Sequence, residues 1–271
     1  MQHIWEEICR MDREGCPGML ITVVDKKGQG PSTVGGKMLL DNQGYISGTI
    51  GGGELESMAT AKARELMNRE QHGLECYDLS GEPGGPAVSL DMVCGGMITL
   101  FYEYLPAAPM VYIMGMGHVG SALSGLMKSL GWRVSNGDFH AAHFQVMIEQ
   151  GRSDAGAYVL VAGFSHQEDY AILDAIYRAG WQPCYIGLLA SRKKHDFIAA
   201  RLSEELGDAI DLSVLHSPVG LNIGGRQPQE IALSIAAELQ AIRYGKAAHR
   251  HLSKPLHIGI PSPDGGMGGT N

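Results

Sequence analysis

Five places in this sequence hold residues whose types and spacing could do chemistry. Gly115, Gly117 and Gly120 form G-x-G-x-x-G at the end of the apolar run VYIMGMGHVG, residues 111–120. In a dinucleotide-binding unit the first glycine permits a tight turn, the second admits a pyrophosphate to the backbone, and the third lets helix pack on strand. The phosphate would then meet N–H groups at a helix N-terminus, where the dipole favours negative charge. Gly51, Gly52 and Gly53, followed by Glu54, make a second glycine-rich passage from strand to helix. Cys94 stands beside Gly95 and Gly96, which leave its thiol open and offer N–H groups that could lower its pKa. A small apolar residue buried beside a bend is the other reading of that cysteine. Ser191, Arg192, Lys193 and Lys194 put a hydroxyl and cations between a strand and a helix, at the sheet edge where open α/β folds bind ligands. A solvated helix start accounts for them equally well. Asp138, about 20 residues past the glycine turn, has the spacing of a ribose ligand, in a context that also fits a surface loop.

Other chemistries lack their signatures. Eleven histidines include His140 and His143, three apart, but no third ligand stands at a recognisable spacing and H-E-x-x-H is absent. Neither G-x-S-x-G nor a Walker A motif occurs, and there is no Tyr-x-x-x-Lys pair for hydride-transfer acid–base work. The five cysteines contain no C-x-x-C, so neither a disulfide framework nor a thiolate zinc site is indicated. A formal charge of −8 gives no footprint for nucleic acid. No apolar stretch reaches the ~18 residues of a membrane span. The first fifteen residues carry acids where a signal peptide carries bases, so no membrane partner and a cytoplasmic location are expected.

The elements that must position these residues follow from periodicity. Residues 3–14 read as a short amphipathic helix stopped by Gly15. Apolar runs at 19–24, 37–40 and 45–50 predict an antiparallel meander, and Leu55, Met58, Ala59, Ala63, Leu66 and Met67 predict a helix over 54–69. A strand at 75–79, a Gly/Pro-rich loop without regular structure, and a strand at 97–105 complete this half. After 111–114, Val119, Ala122, Leu123, Leu126, Met127 and Leu130 mark a helix. Strands at 132–135, 157–162 and 183–187, with helices at 168–178, 193–206 and 228–243, then alternate as in a parallel sheet covered on both faces. Only a short link is expected between the second and third of these strands. Cys184 is expected in a buried strand. The fold class is therefore α/β: a small N-terminal α+β domain over 1–105, a linker at 106–110, a Rossmann-like parallel-sheet domain over 111–247, and a disordered tail at 248–271.

Taken together, these stretches resemble the XdhC/CoxI family of accessory proteins for xanthine dehydrogenase and related molybdenum hydroxylases. The matching pieces are GGKML at 35–39, GTIGGGELE at 48–56, CGG at 94–96, the opening strand with GMGHVG at 115–120, YIGLLASRKK at 185–194, and SPVGLNIGG at 217–225 with EIALSIAAE at 230–238. The resemblance implies a homodimeric, non-enzymatic maturation factor. It would bind the molybdenum cofactor (molybdopterin), protect it while a cysteine desulfurase supports its sulfuration, and insert it into the molybdenum hydroxylase apoenzyme. It also implies cofactor contacts at Gly51, Gly52, Gly53, Glu54, Cys94, Gly95, Gly96, Gly115, Gly117, Gly120, Ser191 and Arg192, with the Cys94 thiol on molybdenum. The chain departs from the family where Gly30-Pro-Ser-Thr33 replaces an arginine-bearing segment, where Asp138-Phe-His140 replaces an Asp-x-Arg insert, and where Ala190 replaces a glycine. An NAD(P)-dependent oxidoreductase using the same glycine turn, or a cofactor-modifying transferase, are the alternatives.

Overall fold

The computed structural model describes residues 2–30, 32–80, 87–89, 96–141, 144–151, 156–207 and 210–246. Cys94, Gly95, His143 and the segment expected as a tail lie outside them.

The first half is a six-stranded sheet with a helix on each face. Helix α1 (Gln2–Glu14) leads into β1 (Gly18–Lys27), which pairs antiparallel with both β2 (Lys37–Asp41) and β6 (Met97–Leu105). With β3 (Ile46–Thr49), β4 (Gly73–Asp78) and β5 (Val88–Ser89) the order is β3-β2-β1-β6-β4-β5. Alternation along β1 sorts its side chains by face. Met19, Ile21 and Val23 pack with Leu55, Ala59, Ala63 and Leu66 of α2 (Gly53–Asn68), while Leu20 turns to Ile4 and Met11 of α1. Because β1 runs against β2 and β6, and β2 against β3, the β1–β2 connection, the β3–α2 turn and the approach to β6 through Gly96 all lie at one end of the sheet. The glycine loops of this half thus converge. Strand β5 is the one departure, a two-residue pairing beside β4 inside the stretch expected to be irregular.

The second half is a five-stranded sheet, all parallel, in the order β11-β10-β9-β7-β8. Its strands are β7 (Met110–Met114), β8 (Arg133–Gly137), β9 (Tyr158–Val161), β10 (Tyr185–Leu188) and β11 (Leu215–His216). Helices α3 (His118–Ser129) and α7 (Pro228–Arg243) cover one face through Leu123, Met127, Ile235 and Leu239. Helices α4 (Phe144–Gly151), α5 (His166–Arg178) and α6 (Arg192–Leu206) cover the other through Phe144, Met147, Ile172, Leu173 and Ile198. Burial on both faces explains why β9 reads as YVLV without a polar residue. This is the doubly wound α/β arrangement the alternation predicts.

Two details differ. The link between β8 and β9 holds α4, whose two turns bury Phe144, Met147 and Ile148. Cys184 is exposed, because β10 begins one residue later and the thiol turns back to the Gly156 carbonyl at 3.0 Å. Among the described residues, no helix is long and apolar enough to cross a membrane.

Candidate functional site

The chain order of the second sheet reverses between β7 and β9, and in open α/β sheets such a reversal opens a ligand crevice beyond the carboxyl ends of the strands. One lip is the glycine turn. Gly115 has φ +116°, and a Cβ there would stand 2.1 Å from the Ala162 carbonyl oxygen. A Cβ on Gly120 would stand 2.0 Å from the Gly115 oxygen. Both glycines are demanded by the fold. Gly117 is different: at φ −63° and ψ −171° its backbone suits any residue, and the nearest atom to an added Cβ is Phe164 Cε1 at 3.9 Å. Its missing side chain leaves space outside the protein, a cradle that a Cβ would begin to fill. Gly117 caps α3 without a side-chain hydrogen bond, and no acid stands in the helix's first turn. No acid of α3 itself therefore neutralises its positive end.

The other lip is the loop from β9 into α5. Asp169 Oδ1 accepts from the Gly163 N–H at 2.7 Å, Glu168 Oε2 accepts from the Phe164 N–H at 3.2 Å, and Ser165 Oγ accepts from the Glu168 N–H at 3.1 Å. Asp169 is completely buried and also pairs with Lys194 Nζ on α6. His140, in the turn after β8, brings Nε2 to 3.8 Å from Glu168. The loops after β8, β9 and β10 are thus tied through two carboxylates that sequence reasoning did not single out. The signal for them is Ser165-x-x-Glu168, a helix-start pattern. Here the glutamate reaches one residue further back than a capping box requires.

Ser191 caps α6, its Oγ accepting from the Lys194 N–H at 3.4 Å. With His166, Lys193, Lys194 and Phe197 it lines a cavity of about 390 Å³, and Arg192 is exposed beside it. Asp138 is also exposed, with Oδ1 taken by the His140 N–H at 3.0 Å.

The glycine turn of the first half is arranged otherwise. Glu56 folds back so that Oε1 accepts from the Ile50 N–H at 3.0 Å, the Gly52 N–H at 2.8 Å and the Thr49 hydroxyl. Partial burial opposes ionisation of Glu56, but the hydrogen bonds from Thr49, Gly52, Ile50 and Gly51 outweigh it and hold its pKa below the ordinary value. A phosphate arriving at Gly51, Gly52 and Gly53 would meet a carboxylate already in place, while Glu54 is exposed at the start of α2. Gly96 has φ +102°, and a Cβ there would lie 2.6 Å from the Lys27 oxygen. The loop lacking the family's arginine has a cation all the same: Lys26 Nζ donates to the Gly30 and Ser32 carbonyls at 2.7 and 2.8 Å. Among the described residues no hydrogen bond or ion pair joins this cluster to the crevice. Arg133 on β8 does join the halves, donating from Nε to the Ala108 carbonyl and from Nη1 to the Glu14 carbonyl, each at 3.2 Å.

A parallel sheet with a glycine turn at its reversal point, joined to a glycine-looped antiparallel sheet, defines a Rossmann-type protein with an appended α+β unit. The chain belongs to the XdhC and CoxI family: residues 111–239 match the XdhC Rossmann domain, and residues 11–78 match the XdhC and CoxI family. It is 29% identical to the uncharacterized protein YqeB of Escherichia coli over 94% of this chain, and spans about half (49%) of that relative's length. It is 23% identical to the molybdenum cofactor insertion chaperone PaoD of the same organism, over 84% of each chain. A crystal structure described as a xanthine dehydrogenase from Bacillus halodurans is 20% identical over 92% of this chain and 97% of that one, with a TM-score of 0.43.

Proposed function

We propose that this protein binds the molybdenum cofactor, shelters it during sulfuration and inserts it into a molybdenum hydroxylase apoenzyme of the xanthine dehydrogenase type. The observation that carries the reading is the open glycine turn in a chain related along most of its length to a cofactor insertion chaperone. The cofactor is a phosphorylated pterin, and its phosphate suits the α3 N-terminus at Gly115, Gly117 and Gly120, with Ser191 and Arg192 on the neighbouring helix start. The loops with Gly51, Gly52, Gly53, Glu54, Gly95 and Gly96 would enclose it in the first half, and the Cys94 thiolate would supply a soft ligand to the metal. In this reading residues 1–105 and 111–247 act as two domains of a cytoplasmic homodimer, with a cysteine desulfurase as a second partner.

Anaerobic equilibration with isolated cofactor, followed by filtration and molybdenum analysis, tests the binding step. Retention well above an albumin control is expected, and retention equal to albumin ends the proposal. Gly117→Val should lower retention at least tenfold without altering the circular dichroism spectrum, since the backbone is unstrained and the nearest atom to the new Cβ is 3.9 Å away. Cys94→Ser should leave the fold intact and yield a client hydroxylase with less sulfurated cofactor and proportionally less activity. Full activity after assembly with Cys94→Ser would remove the thiol from the mechanism.

A further inference from the structure

Phe164 is the most exposed large apolar side chain among the described residues, at 77%. One exposed phenylalanine on an unsupported loop would carry no meaning. This loop is held by three hydrogen bonds, two of them from its N–H groups to the carboxylates of Glu168 and Asp169, which are 7% and 0% exposed. Burying two carboxylates is costly unless they are compensated: both accept backbone hydrogen bonds, and Asp169 is also paired with Lys194. Their effect is to fix the backbone of Gly163 and Phe164 while the phenyl ring stands in solvent. The ring stands at the reversal of strand order. It comes from the end of β9, and Cε1 lies 3.9 Å from where a Cβ on Gly117, at the end of β7, would be. The crevice thus has bare backbone and a helix start without a side-chain cap on one lip, and an aromatic side chain on a hydrogen-bonded backbone on the other.

We infer that Phe164 is a stacking platform for a planar heteroaromatic ring whose attached phosphate sits over Gly117 at the α3 N-terminus. A π-face selects flat rings without reading their edges, and the absence of acid from the first turn of α3 leaves that helix's dipole free to favour the phosphate. The inference rests on the reading of the glycine turn as the phosphate-facing element, and adds the chemical class of what is attached. Two sources share that chemistry, a pterin phosphate and a purine nucleotide.

Calorimetric titration of the full chain with neopterin monophosphate, guanosine 5′-monophosphate and ribose 5-phosphate separates them. At least one ring ligand is expected to bind more tightly than ribose 5-phosphate, and the tighter of the two names the source. Phe164→Ala should weaken that ring ligand about tenfold to a hundredfold and leave ribose 5-phosphate unchanged. Phe164→Trp should restore the ring ligand, while Gly117→Val should weaken all three. Because Phe164 is exposed, Phe164→Ala should melt with the parent chain. Wild-type protein that binds neither ring ligand overturns the inference, as does Phe164→Ala protein that binds them unchanged or loses ribose 5-phosphate equally. If molybdenum retention fails while the ring ligand binds, the platform stands and the molybdenum reading falls.

Discussion

At the scale of single residues, Glu56 has the most direct consequence for stability. Its carboxylate gathers two backbone N–H groups and a hydroxyl at the start of α2, so Glu56→Ala leaves those donors without their acceptor. A cost of about 1–2 kcal/mol at neutral pH is expected. The pH dependence has a definite sign. The folded pKa of Glu56 is depressed below 4.5, so its contribution is complete above the unfolded value and is lost as pH falls through the folded one. Urea denaturation of wild type and Glu56→Ala should therefore give a gap at pH 7 that narrows on acidification below about pH 4. A gap independent of pH would mean that packing, not charge, holds the turn. Gly115 and Gly117 show what a sequence leaves unsaid at this scale. Both belong to the same motif, yet one is enforced by the Ala162 carbonyl and the other has room for a Cβ beside the Phe164 ring. Only the fold brings β9 near enough to separate them. Glu56 was equally illegible, since nothing in GGGELE says that the second glutamate, and not the first, turns back.

Between elements, the tie from α5 to α6 fixes the crevice. Asp169 is fully buried, bonded to the Gly163 N–H and paired with Lys194. Asp169→Asn keeps an acceptor but removes the charge, stranding the partly buried ammonium. A loss of about 3 kcal/mol in guanidinium denaturation is expected, with ring-ligand affinity falling as the Gly163–Phe164 loop loosens. If stability drops and affinity does not, the loop's position does not depend on that pair. Sequence signals were strongest where the start of an element is chemically marked. Pro228 at the first helical position and Glu230 in the first turn mark the start of α7 in the sequence, and in the structure Glu230 also closes a capping box with Gln227. Helix α4 escaped because its i, i+3, i+4 set of Phe144, Met147 and Ile148 spans only two turns, too short for periodicity to stand out. The alternation of strands and helices after residue 110 was legible because burial on both faces leaves strands with unbroken apolar runs.

For the whole molecule, Arg133 is the residue whose loss should be felt on both sides. Its guanidinium donates to the Glu14 carbonyl at the end of α1 and to the Ala108 carbonyl in the connector between the sheets. Arg133→Ala should cost about 1–3 kcal/mol. It should also split a single thermal transition into two, read with Trp5 for the first half and Trp132 with Trp181 for the second. A single transition at reduced temperature would mean the halves are coupled elsewhere.

The connector itself has a further consequence. Only Pro106-Ala-Ala-Pro109 separates β6 from β7, and Ala108 is pinned by Arg133. A tether this short places each half in the other's vicinity at an effective concentration on the order of millimolar. A ligand long enough to reach both glycine clusters, which lie at the ends of β6 and β7 away from the connector, would bind with avidity, and transfer between clusters would be intramolecular and independent of protein concentration. Comparing a dinucleotide-sized ligand with an equimolar mixture of its two fragments would reveal it: affinity no better than the stronger fragment alone would show that only one cluster takes part.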